Sequence, residues 1–298
     1  GVLVRGQPTT VLAAIDTTSN SLRFYAMAGA ALAEIGARAV PLGFAAEGVC
    51  LYVNPRDRGL YAFVVGDGGE VDQHLVYVDA QGRLDARQVR RIGVPSPLTQ
   101  CVADSMNATV YAAEEGVGIW RFSADPESDV AAALLDSPGR GHFEEEVGGV
   151  AMYDGGEGAR WLLASDATAG RINVYDREDD ARYLGSFTVG IPGESDTVEE
   201  PGPLHATGIA LGSGIDHGLL LVADEGKPLG LAGIMGGEHS GIADDTTRVY
   251  LEGAFWSPAV IQGKMRRLGF VSDAGYRFER GVDFDGCARA VERATQLI

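Results

Sequence analysis

Cysteine is scarce: 298 residues hold three, Cys50, Cys101 and Cys287. No two of them stand at a metal-ligand spacing, and they read as buried free thiols. The five histidines, His74, His142, His205, His217 and His239, form no HxxxH or HExxH pattern, so a zinc site is not expected. Long apolar runs are missing too. Nothing approaches the roughly 18 to 20 apolar residues of a membrane helix, and residues 1–20 lack a basic start followed by an apolar block. No membrane partner is expected. The chain opens on Gly1 instead of Met, which reads as a fragment or processed product and removes evidence about export. Helical patterns are rare before residue 225. Residues 128–139 and the alanine-rich 26–40, interrupted by Gly29 and Gly36, are expected to be loops or strands.

What is present begins with charge, and it is uneven. Residues 226–298 hold nine basic and nine acidic side chains, so the formal charge of −18 falls entirely on the first 225 residues, with 15 basic against 33 acidic. So acidic a stretch repels nucleic acid and favours divalent cations or basic partners. The neutral tail carries no such bar against RNA. With 45% apolar and 22% charged residues, the chain has the composition of a soluble globular protein of one large or two ordinary domains.

The acidic part repeats a unit. "AAIDTTSNSLRFYA" (13–26), "LYVNPRDRGLYAFVV" (51–65), "VYAAEEGVGIWRFS" (110–123) and "WLLASDATAGRINVYD" (161–176) each pair an apolar strand, an acidic or polar turn and a second strand rich in aromatic and β-branched residues. "HGLLLVADE" (217–225) opens a fifth. Units that recur every 40 to 60 residues or so are the mark of a β-propeller, in which each repeat is a small antiparallel sheet. A β-sandwich is the alternative, although it spaces strand pairs more tightly. Three smaller motifs have structural readings. "GSGIDHG" (212–218) suits a turn between blades, "NAT" (107–109) a glycosylation acceptor in a secreted chain, and "RQVRR" (87–91) an outer strand or a phosphate-steering patch.

Three longer stretches, beginning "EGVCLYVNPRDRGLYAFVVGDGG", "VYAAEEGVGIWRFSADP" and "EEEVGGVAMYDGG", resemble the β-propeller phytases in order and spacing over about residues 10–224. The resemblance implies a six-bladed type of propeller that holds Ca²⁺ in an acidic channel and hydrolyses phosphate esters of myo-inositol hexakisphosphate. It offers Asp104, Asp125 and Glu146 as metal ligands. Elsewhere the family's acids are replaced: Ser105 and Met106 follow Asp104, Gly148 stands in "EVGG" (146–149), and "HATGI" (205–209) keeps only its glycine and isoleucine. Since Ca²⁺ takes about six to eight oxygen ligands, the implied activity is that of a truncated phytase with a weakened site.

The tail is patterned differently. "TRVYLEGAFW" (247–256) alternates like a strand. "SPAVIQGKMRRLGF" (257–270) suits a helix capped by Ser257, with Pro258 in its first turn and Gly269 at its end. Cys287, Val291, Ala294 and Ile298 share one face of a last helix. "LAGIMGGEHSGIADDTTRVYLEGAFWSPAVIQGKMRRLGFVSDAGYRFERGVD" resembles the β subunit of bacterial phenylalanyl-tRNA synthetase, in the domain that removes misattached tyrosine. That resemblance implies an editing pocket at Gly233, Gly236, Glu252, Ser272 and Ala274, with tRNA(Phe) and the synthetase α subunit as partners. Glu252 is the acceptor for a tyrosyl hydroxyl, which phenylalanine lacks.

The expectation is a mainly β fold: a truncated six-bladed type of β-propeller over 1–224, followed by a small α+β fragment over 225–298, joined as a chimera at "LLLVADEGKP". The first part points to a secreted or periplasmic phytase-like hydrolase, the second to a cytoplasmic synthetase piece.

Overall fold

A computed structural model describes residues 2–4, 7–28, 31–156, 158–190, 198–210, 217–224, 230–231, 235–236, 246, 253–269 and 271–297. The chain divides into two compact units, Gly1–Gly226 and Lys227–Ile298.

The first unit is built of antiparallel sheets in sequence order. A hairpin of β1 (Val2–Val4) and β2 (Gln7–Thr9) precedes the first blade, β3 (Val11–Asp16), β4 (Ser21–Ala28), β5 (Ala31–Glu34) and β6 (Val40–Pro41), in which β5 and β6 both pair with β4. The second blade is β7 (Ala46–Val53), β8 (Leu60–Gly66), β9 (Glu70–Val78) and β10 (Leu84–Gly93). The third is β11 (Gln100–Asp104), β12 (Thr109–Glu114), β13 (Gly118–Ser123) and β14 (Ala133–Asp136). The fourth is β15 (Val147–Asp154), β16 (Arg160–Asp166), β17 (Arg171–Asp176) and β18 (Arg182–Phe187), and a two-stranded pair follows, β19 (Pro201–Thr207) and β20 (Leu219–Asp224). This is a mainly β, four-blade propeller arrangement, and residues 128–139 and the described residues of 26–40 are loop and strand.

Alternation along the strands explains why the blades stack. Leu60, Ala62 and Val64 of β8 pack toward the first blade with Leu22, Phe24 and Val40. Their neighbours Tyr61, Phe63 and Val65 point the other way, into a cluster with Val110, Ala112 and Phe122 of the third blade. Tyr111 and Ala113 of β12 face Val150, Leu162 and Ala164, and Leu163 faces Leu204 beyond the fourth blade. Successive side chains of a strand point to opposite faces, so a strand between two neighbouring blades must be apolar on both. That is why "YAFVV" and "WLLA" are near-continuous apolar runs.

First strands lie side by side and run in the same direction. Val53 N donates to Ser105 Oγ at 3.1 Å at one end. Toward the other end, Gln100 Oε1 accepts from Val150 N (3.1 Å) and Leu204 N (3.3 Å), and its Nε2 donates to Leu204 O (2.7 Å). One amide side chain thus ties β11 to both β15 and β19. Gly148 and Gly149 permit this approach: a Cβ at Gly148 would collide with the Pro201 carbonyl oxygen, and one at Gly149 with Gln100 Oε1.

Cys50 and Cys101 do not remain free thiols. They form a disulfide between β7 and β11, with Cα atoms 5.7 Å apart, because the stacking of the second and third blades brings together two residues 51 apart in sequence. Cys287 is free and half-buried.

The second unit has a short pair, β21 (Gly230–Leu231) and β22 (Met235–Gly236), and helices α1 (Pro258–Ile261), α2 (Lys264–Leu268), α3 (Asp273–Arg280) and α4 (Cys287–Thr295), with a 3₁₀ turn at Phe284–Gly286. The single helix expected over 257–270 is two, because Gly263 adopts φ 76° between them. Ser257 makes no side-chain cap, whereas Gly269 closes α2 in the left-handed conformation. Of the strand expected over 247–256, residues 247–252 lie outside the described residues and 253–256 are not a strand. α4 forms as expected, its Cys287 Sγ reaching Ala254 O at 3.5 Å; Ile298 lies outside the described residues. No helix among the described residues is long and apolar enough to cross a membrane.

Candidate functional site

The acid-rich hairpins place carboxylates where backbone amides need acceptors. Asp16 Oδ1 accepts from Thr18 N and Ser19 N (3.0 and 3.2 Å), Asp79 Oδ1 from Gln81 N and Arg83 N, and Asp166 Oδ1 from Ala169 N. Side chains of this kind close their own turns, and much of the acidity that suggested cation binding is consumed this way.

Asp104 ends β11 in the same fashion, accepting from Met106 N (2.9 Å) and Asn107 N (3.3 Å) through Oδ1, and from Asn107 Nδ2 (3.1 Å) through Oδ2. It is buried, and the equally buried Arg177 guanidinium lies 3.2 Å from Oδ2. Arg177 also pairs with the exposed Asp154. The cation next to Asp104 is therefore a guanidinium of the chain itself. Its charge, added to Asn107, occupies the carboxylate, and the Asp104 charge in turn helps to hold the buried Tyr111 phenol above its ordinary pKa, second to burial itself. A cavity of about 190 Å³ opens here, lined by Asp104, Met106, Asn107, Arg160, Arg177 and Glu178.

The other two expected ligands stand elsewhere. Asp125 follows β13, accepts from Glu127 N at 3.0 Å and lies 3.8 Å from Arg56. Glu146 is exposed and precedes β15, so it sits at the start of the first strands while Asp104 sits at their end. At Gly148 the carbonyl of Pro201 leaves no room for a side chain. Among the described residues no three His, Cys, Asp or Glu side chains gather as a metal site. As they stand, Asp104, Asp125 and Glu146 do not fit one Ca²⁺, which needs several oxygens converging at 2.3–2.6 Å.

In the sequence, Arg177 carries no signal of its place. It follows "NVYD" at the end of β17, in a string of charges that looks like an exposed turn, and only the stack of the third and fourth blades carries it inward to Asp104.

In the second unit, Ser272 is the N-cap of α3, its Oγ accepting from Gly275 N at 3.0 Å. Ala274 is exposed on the first turn of that helix. Gly236 pairs with Gly230 in the two-residue ladder, and Gly233 and Glu252 lie outside the described residues. Arg277 pairs with Asp273 one turn earlier at 3.1 Å, and Arg280 stacks over the Tyr276 ring, 3.8 Å from its centroid.

Comparison with known proteins gives two matches that overlap over residues 209–230. The phytase family model matches residues 3–230, and the B3/4 domain model matches residues 209–298. The phenylalanine–tRNA ligase beta subunit of Dechloromonas aromatica is 60% identical over 84 residues, 28% of this chain and 11% of that protein. That of Aromatoleum aromaticum is 66% identical over 79 residues, 26% and 10% respectively. The chain spans about a tenth of the length of the curated relatives it matches. A solved structure described as the COPII outer coat vertex on membranes aligns with 66% of this chain and 50% of that one, with a TM-score of 0.44 and 11% identity, too slight a likeness to carry an argument. Residues 209–298 are thus similar to the B3/4 domain, and with its propeller sheets matched from residue 3 to residue 230, the chain belongs to the phytase family.

Proposed function

We propose that the propeller part recognises phosphate monoesters of the myo-inositol hexakisphosphate class and that its turnover is weak. The observation that supports this reading is the family match over residues 3–230, taken with the state of the expected ligands. In this fold family Ca²⁺ would neutralise a polyanionic substrate and polarise the attacking water. Asp104, Asp125 and Glu146 remain the acids for which such a role is proposed, but as placed they do not fit one ion, so hydrolysis by a shared calcium cluster is not the chemistry this arrangement supports. Beside Asp104 the cavity is lined by the Arg160 and Arg177 guanidinia. Arg177 is held by Asp104 and Asp154, while Arg160 pairs with the exposed Glu178 at 2.8 Å and would exchange that partner for a phosphate, whose oxygens guanidinium forks hold in pairs. Recognition therefore outlasts catalysis.

The test is thermal melting of the full chain with phytate, with and without calcium, beside an assay of phosphate release. A phytate-dependent rise in Tm with release close to background is expected. Rapid calcium-dependent release overturns the weak turnover, and no Tm shift with no release overturns the phosphate-ester reading.

The relatives favour a second reading for the tail. We propose that residues 225–298 derive from the editing region of a phenylalanine–tRNA ligase β subunit, with Glu252 accepting the tyrosyl hydroxyl and Gly233, Gly236, Ser272 and Ala274 shaping the pocket. Ser272 would act by fixing the start of α3. In an intact parent its partners would be tRNA(Phe) and the α subunit. Tyrosyl-tRNA hydrolysis by the full chain that is lost in Glu252→Ala would support this reading; absence of both tRNA binding and hydrolysis overturns it for this chain.

A further inference from the structure

The fourth strand of the third blade ends in a buried carboxylate that organises a second site, away from Asp104. Asp136 closes β14, and its Oδ1 accepts from Ser137 N (2.7 Å) and His142 N (2.9 Å). Its Oδ2 accepts from the Tyr175 hydroxyl (2.7 Å) and lies 2.9 Å from His142 Nδ1. The side chain of Asp136 is only 5% exposed and that of His142 is 44% exposed, so the pair reaches from the interior to the surface. An ionised carboxylate only accepts hydrogen bonds. Nδ1 therefore carries hydrogen, and Nε2 is the outward nitrogen.

The imidazole and its backbone are both restrained. It stacks on Tyr183 with ring centroids 3.6 Å apart and planes 14° apart. The His142 carbonyl receives Arg171 Nη2 at 3.0 Å and Asn173 Nδ2 at 3.1 Å. Gly141, whose Cβ would overlap Asp136 Oδ1, lets the loop fold back over the acid. Burial and Asp136 push the Tyr175 phenol far up, so it remains a donor. So many restraints on one half-exposed ring fix where Nε2 points, and neither a turn nor a blade contact requires that.

A cavity of about 330 Å³ adjoins the ring, with Leu134 and Leu135 on an apolar wall, Tyr183 beside them, and Ser137 and Arg140 on the polar side. Among the described residues Arg140 has no carboxylate partner and His142 Nε2 no hydrogen-bond partner. In a unit that carries the whole −18 charge, the Arg140 guanidinium and the fixed imidazole line one pocket with Asp136, whose carboxylate is already taken by its own donors. Arg140 supplies a fork of donors for two oxygens of an anion. Nε2 donates when the ring is protonated, and when neutral it accepts the acidic hydrogen that a phosphate monoester, with a second pKa near 6, still carries in part at neutral pH. A carboxylate brings no such hydrogen.

We infer that the Asp136–His142–Arg140 pocket binds a small phosphate monoester with an apolar body, the phosphate between Arg140 and His142 Nε2 and the body against Leu134, Leu135 and Tyr183. This site is separate from the Asp104 cavity and needs no calcium. It does not rest on phytate recognition.

The experiment is calorimetric titration of the full chain with phenyl phosphate in a buffer containing a calcium chelator, with benzoate and inorganic phosphate as comparisons, followed by NMR of the His142 Cε1–H signal. Saturable binding of phenyl phosphate that moves that signal is expected, with affinity about ten-fold weaker in Arg140→Gln, the equivalent of one charge-assisted contact. Arg140 is exposed and unpaired, so that variant keeps the fold, and His142→Gln serves as the second. Inorganic phosphate is expected to bind more weakly for want of the apolar contact. No binding up to about 10 mM, equal affinity in wild type and both variants, or benzoate binding as tightly as phenyl phosphate each overturns the assignment. Because calcium and phytate are absent throughout, failure here is distinct from failure of the Asp104 reading.

Discussion

The first unit packs four apolar clusters in succession between its blades. Among the described residues of the second unit, the buried core consists of Ile261 and Met265, with Trp256 and Phe278 partly buried against them, while Val271, Phe284 and Leu297 are exposed. Yet the relatives that reach 60% and 66% identity match stretches of only 84 and 79 residues, 28% and 26% of the chain. Identity records descent, whereas stability depends on apolar area removed from water within the folded unit. High identity over a short stretch does not by itself give that stretch a core.

The sharpest way to break that contrast is to separate the units. Residues 1–226 are expected to melt cooperatively by circular dichroism and residues 227–298 to show no cooperative transition; a sharp transition in the shorter piece would show that its core suffices. Next in size is a cavity placed in each unit. Phe63 is fully buried and packs edge-on to Tyr52 and against Phe122, so Phe63→Ala should lower unfolding free energy by about 3–5 kcal/mol. Met265→Ala should leave the main urea transition unmoved, and a shift comparable to that of Phe63→Ala would mean that the two units unfold together.

A smaller effect tests how far the first unit depends on covalent help. The disulfide closes a loop of 51 residues, for which chain entropy gives about 4 kcal/mol and experience about 2–4 kcal/mol. The Cys50→Ala/Cys101→Ala variant should unfold at lower urea with an unchanged far-ultraviolet spectrum. An unchanged midpoint would mean that blade stacking alone orders β7 against β11.

The smallest expected effect concerns His74 on β9. Burial holds its imidazole below the ordinary value; Asp72 opposes that shift and Arg91 adds to it. As pH falls, the unfolded chain takes up the proton first, so this stabilisation is complete above about 6.5 and is lost progressively below it. Moving from about pH 7.5 to about pH 5.5 should lower the urea midpoint of the first unit, and His74→Leu should flatten the dependence. An identical slope in the variant would place the acid sensitivity elsewhere.

Much of the fold could be read from residues alone. The apolar strand, acidic turn and aromatic strand recur because each blade solves the same local problem, and the structure has blades at each of the four quoted repeats and a strand pair at the fifth. The turn acids were legible as acids but not as caps: whether Asp104 faces a cation, an amide or an arginine depends on Arg177, 73 positions away. Likewise "KMRRLG" announces a helix end at Gly269, but the break at Gly263 needs a backbone angle that periodicity does not reveal.

Composition and local pattern were enough for the division of charge and the class of fold, since alternation and turn chemistry act over a few residues. Partnership was settled by stacking. Cys50 meets Cys101, Arg177 meets Asp104, and Tyr175 meets Asp136 only because blades pack face against face, and that packing brings together side chains that no spacing along the chain connects.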